Sequence, residues 1–177
     1  MPAPADVSRP SALWKMLSDE RRLEAATAFW QDDQSVAEQA EAVGMIARQI
    51  NFRPRSVLAL PVERRARQLA RMHRVSEPLA GRLLVSYHLA HQRPMMSSFL
   101  DALGIKHEDG LIAEEDVKPP ETERLIAAGR DLATRFPAEA VHLYFATLLV
   151  QDPATWGALA QILDEAKSAP AESQAGA

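Results

Sequence analysis

Arg64, Arg67, Arg71 and Arg74 are spaced three, four and three residues apart. A helix through them presents four guanidiniums on one face while Val62, Ala66 and Leu69 fall on the other. The planar guanidinium fork binds a carboxylate or a phosphate through paired hydrogen bonds, where lysine supplies only a point charge. Extended by Arg82, this stripe is the candidate surface for an acidic partner. Four further residues have the chemistry of metal ligands. His88 and His91 stand at i and i+3 in one apolar segment, and Glu139 and His142 repeat that spacing in another. Brought together inside a bundle, three imidazoles and a carboxylate suit zinc, nickel or iron and would make a metal-dependent enzyme. The competing reading has no metal, no cofactor and no catalytic residue, with the histidines hydrogen-bonded at the rim of a core.

The stripe belongs to a wider asymmetry. The chain of 177 residues has a formal net charge of −4, yet between Arg48 and Arg93 ten arginines face only Glu63 and Glu77. From His107 to Glu123 the balance reverses, with seven acidic residues against Lys118 alone. Two arrangements answer this pattern: the acidic loop neutralises the arginines internally, or the arginine face stays open to an anion.

Residues 68–83, Gln-Leu-Ala-Arg-Met-His-Arg-Val-Ser-Glu-Pro-Leu-Ala-Gly-Arg-Leu, resemble a helix-turn-helix in their spacing. An alanine lies within the first helix, Val75-Ser76 opens the second, and Leu83 takes the place of an apolar anchor. The resemblance implies a nucleic-acid-binding segment at about 62–93, with the second helix in the major groove, Arg82 near base edges and the other arginines on phosphates.

Several chemistries are excluded. With no cysteine there is no disulfide frame, thiol nucleophile or cysteine-ligated metal. The seven glycines are too scattered to cradle a phosphate, and neither G-x-S-x-G nor H-E-x-x-H occurs. No apolar run approaches the roughly 20 residues that span a bilayer, and the first residues lack the basic flank and apolar stretch of a secretory signal. The expectation is a soluble cytoplasmic protein without membrane association.

The apolar spacing is helical almost throughout, and no stretch alternates with the period of two that a half-buried strand needs. A hydrophobic fraction of 47% over this length suits one core. The expected fold is all-α: a compact single-domain bundle of about seven to nine helices over 11–167, with loose tails at 1–10 and 168–177 and an acidic loop at about 105–120. Ser18, Ser76 and Asp152 are placed as N-caps, Ser35 and Glu38 have the spacing of a capping box, and Gly104 suits a left-handed helix end. The arginine stripe falls on a helix from Val62 to about His73. The segments at about 77–93 and 138–151 are apolar on nearly every side, so they are expected as the two central helices. The functional reading that follows is a non-enzymatic interaction or regulatory protein, meeting a protein partner through the arginine face. Nucleic-acid binding at 62–93 and a metal-dependent enzyme on the central helices are its alternatives.

Overall fold

The computed structural model describes residues 8–113, 115 and 117–169. Most of both expected tails, together with Glu114 and Asp116 of the acidic loop, lies outside them. Among the described residues the chain forms eleven helices and one short hairpin, so the fold is all-α as the apolar periodicity requires. The count exceeds the expected seven to nine because the connector after Asn51 forms a helix of its own and the last helix is broken at Gly157. Length and composition point to a single domain; the contacts gather into two compact units, 9–93 and 94 onward. Each unit contains enough apolar helix to bury a core.

The first unit holds α1 (Pro10–Met16), α2 (Asp19–Trp30), α3 (Val36–Ile50), α4 (Pro54–Leu58), α5 (Val62–Ala70) and α6 (Glu77–His91). Helix α6 is its hub and packs against α1, α2 and α3, while α5 lies across α2 and α4 beside α3. Trp14, Phe29, Ile46, Leu69, Leu79, Leu83 and Leu84 are fully buried. Two expected caps form: Ser18 Oγ accepts from the Arg21 amide at 3.2 Å and Ser76 Oγ from the Leu79 amide at 3.3 Å. Helix α3 begins at Val36 as its spacing indicates, but no capping box closes it. The Ser35 hydroxyl makes no cap hydrogen bond. It donates to Asp32 at 2.7 Å and accepts from Arg82 at 2.6 Å. A tertiary partner has displaced the local one.

The second unit holds α7 (Arg93–Leu103), β1 (His107–Glu108), β2 (Leu111–Ile112), α8 (Thr122–Arg135), α9 (Ala138–Gln151), α10 (Pro153–Trp156) and α11 (Leu159–Ser168). Helix α9 packs against α8, α10 and α11. Phe99 of α7 meets Tyr144, Phe145 and Trp156 with ring centroids 5.8, 5.1 and 6.1 Å apart. The two apolar helices expected at the centre, α6 and α9, each pack against several helices of their own unit. Gly104, at φ 69°, ends α7 with paired hydrogen bonds from its own amide to Asp101 and from the Ile105 amide to Leu100, both 3.0 Å. The acidic loop contains a hairpin that the sequence periodicity does not show. Asp109 and Gly110 both take positive φ between β1 and β2, and His107 Nδ1 accepts from the Gly110 amide at 3.0 Å.

Candidate functional site

Of the four stripe arginines, only Arg64 and Arg67 stand on α5. The helix ends at Ala70 and not at about His73, leaving Arg71 as its C-cap and Arg74 in the connector to α6. The cause is tertiary. Arg22, 3% exposed, donates from Nε to the Ala70 carbonyl at 3.0 Å. Its Nη1 donates to Leu17 at 2.7 Å and Lys15 at 3.3 Å, so one guanidinium satisfies carbonyls at the ends of both α1 and α5. Its remaining nitrogen pairs with Asp19. The Trp14 indole N–H donates to the Met72 carbonyl at 2.9 Å. Carbonyls claimed in this way no longer serve the next helical turn. Ser11 secures the far end of the connector, its amide and hydroxyl donating to Glu77 at 2.9 and 2.6 Å and lowering the pKa of that carboxyl.

All four arginines are exposed. None of their side chains has a hydrogen bond or ion pair among the described residues. Arg67, Arg71 and His73 line a shallow pocket of about 330 Å³ together with Asp19, Leu23 and Ala70. Leu23 reaches its surface with 38% of its area exposed, so an apolar contact stands beside Arg67, Arg71 and the Asp19 carboxylate.

Arg82 behaves differently. It forms an ion pair with Asp32 at 2.8 Å as well as its bond to Ser35, and Ser86 donates to the same carboxylate at 3.3 Å. Burial works against the Asp32 carboxylate, but the Ser35 and Gln34 hydrogen bonds, the Arg82 charge and Ser86 outweigh it and lower its pKa. Arg82 therefore ties α6 to the start of α3. Arg65, a neighbour of the stripe, lies with its guanidinium 4.8 Å from the centre of the Trp30 ring.

The segment that resembles a helix-turn-helix contains α5, the connector after it and α6. The connector Arg71–Ser76 exceeds the turn of roughly three to four residues that the motif uses. Between Leu79 and His88, α6 has no exposed residue, and Arg82 is already engaged.

His88 and His91 belong to the first unit, Glu139 and His142 to the second. His88 is buried, and desolvation together with the nearby His91 lowers its pKa to about 3. The Tyr87 ring lies 5.4 Å from His88 and 5.1 Å from the exposed His91. Glu139 is exposed in the first turn of α9, and His142 is half-buried with its pKa lowered by that burial. Among the described residues no group of three or more histidine, aspartate or glutamate side chains could hold a metal ion.

Sequence reasoning passed over Arg22 and Asp32. An arginine in a charged first turn has no signal separating a buried clamp from a solvated side chain. Asp32 had a weak one, standing three residues before a serine at a helix start. No protein-family model, no curated protein and no solved structure matches this chain.

Proposed function

We propose that this chain is a non-catalytic interaction protein that binds an acidic protein partner through α5 and the connector after it. The observation carrying the proposal is that Arg64, Arg67, Arg71 and Arg74 are all exposed and without a partner among the described residues. The nearby Arg22 and Arg82, in contrast, are held by hydrogen bonds and ion pairs within the fold. Arg67 and Arg71 border the pocket beside Leu23, an arrangement that fits a partner carboxylate next to an apolar side chain. The connector is pinned by Trp14 and Ser11, so little ordering cost is left to binding. A chain without cysteine suits the cytoplasm as the place of this activity, and no helix among the described residues is long and apolar enough to cross a membrane.

The test is fluorescence anisotropy with a labelled glutamate-rich peptide carrying one leucine, compared with duplex DNA, at low and near-physiological salt. Peptide binding that weakens with salt and is lost in Arg67→Ala/Arg71→Ala, with folding unchanged, supports the proposal. Tighter binding of DNA, lost in the same variant and falling steeply with salt, moves the assignment to nucleic acid. No binding of either probe refutes both.

A further inference from the structure

A second surface lies in the same unit, away from the pocket residues in sequence. Helix α3 ends at Ile50. Asn51 then takes a left-handed conformation at φ 55°, and the Phe52 amide returns to the Ala47 carbonyl at 2.9 Å. This closure usually lets the residue after the left-handed position pack onto its own helix. Phe52 instead stays 47% exposed. In α4 the fully buried Val57 faces inward, so Leu58, one residue and about 100° further round, points outward and is 58% exposed. Arg55 is three residues before Leu58 and shares its face. Arg48, Arg53 and Arg55 are all exposed and have no ion-pair partner among the described residues. From Ala42 to Val62 there is no acidic residue at all.

We propose that Phe52 and Leu58, with Arg48, Arg53 and Arg55, form a docking surface for an acidic amphipathic helix of a partner protein. Isolated exposed apolar residues are common, but two large ones within seven positions, in a stretch whose exposed charges are all cationic, give this segment a defined electrostatic sign. The occupant that matches it carries apolar side chains at i, i+3 or i+4 and i+7, with carboxylates on both flanks. A strand is a poorer match, because the described residues of this unit contain no strand whose edge could be extended. The inference concerns a different surface from the α5 pocket and stands independently of it.

The experiment uses the full chain and a labelled acidic amphipathic peptide of about eighteen residues, or five helical turns, with a scrambled peptide of the same composition. The expected result is that the amphipathic peptide binds at least about tenfold more tightly than the scrambled one. Phe52→Ser/Leu58→Ser should remove that preference, and Arg53→Ala/Arg55→Ala should weaken binding and flatten its salt dependence. All four positions are exposed, so each variant should unfold at the wild-type temperature. Equal binding of the two peptides overturns the proposal, as does an unaffected Phe52→Ser/Leu58→Ser variant. Loss of binding only in Arg67→Ala/Arg71→Ala also overturns it, because the peptide then occupies the α5 pocket and the proposed function stands without this surface.

Discussion

Replacing Arg22 by methionine keeps an unbranched apolar stem and removes the guanidinium that clamps α1 and α5. Two carbonyls, Leu17 at 2.7 Å and Ala70 at 3.0 Å, lose a charged donor, and Lys15 at 3.3 Å loses a longer contact. A buried acceptor stripped of its donor costs about 1–3 kcal/mol. Against this stands the relief of no longer holding a guanidinium away from water at 3% exposure. The expected net loss is about 2–4 kcal/mol, a large share of the stability of a domain this size. Urea denaturation measures it directly. Arg22→Lys should recover less than half of the loss, because a single ammonium cannot reach carbonyls at two helix ends. Asp19→Asn should change stability by no more than about 0.5 kcal/mol, because that carboxylate is almost wholly solvated. Hydrogen exchange of the amides from Met72 to Ser76 should accelerate in Arg22→Met, and binding at the α5 pocket should weaken with it. An Arg22→Met protein within about 0.5 kcal/mol of wild type, with unchanged exchange in the connector, would refute the claim that tertiary hydrogen bonds end α5 at Ala70.

Burial, with the nearby His91, holds His88 neutral in the folded chain and lowers its pKa from the usual 6.5 to about 3. Its contribution to stability is therefore complete above about pH 6.5 and is lost progressively as pH falls toward 3, because the unfolded chain binds the proton first. Between pH 7 and pH 5 urea unfolding should show a loss of about 2 kcal/mol, much reduced in His88→Gln; a flat profile in the wild type contradicts it. Two glycines should respond in opposite directions. A methyl group at Gly44 meets nothing within 4 Å inside α3, so Gly44→Ala should stabilise by about 1 kcal/mol through helix propensity. At Gly129 the methyl collides with Ile162, and the Phe145 ring stands 3.2 Å away, so overpacking outweighs the same propensity gain and Gly129→Ala should destabilise by about 1 kcal/mol. Thermal melts of both variants decide the signs. Arg82→Ala should cost about 1–3 kcal/mol by stripping Asp32 and Ser35 of their shared donor, while leaving acidic-peptide binding unchanged in the anisotropy assay.

The candidate site was legible in residue type and partly in place. Four unopposed arginines at helical spacing mark a cationic face whatever the fold does with them, and the structure keeps all four at the surface. Their single-helix geometry was not legible. It depends on where α5 stops, and that is decided by Arg22 and Trp14, which are 48 and 58 residues away along the chain from the carbonyls they take. Arg82 shows the same limit from the other side. Its type and its place near the start of α6 matched the stripe, but a partner 50 residues earlier holds it.

What the sequence determined by itself was what short-range physics decides. The apolar period of 3.6 makes the chain helical, Ser18, Ser76 and Asp152 supply local hydrogen-bond acceptors for helix starts, and Gly104 accepts the left-handed ending. Each of these acts within about four residues, so the neighbouring letters contain the whole cause. The tertiary structure alone decided which arginines remain available, why Ser35 abandons its capping box, and that α6 and α9 each pack against several helices of their own unit. In each case the competing partners lie far apart in the chain. A guanidinium or hydroxyl chooses between solvent, a local acceptor and a distant one only after folding has brought the distant one within reach.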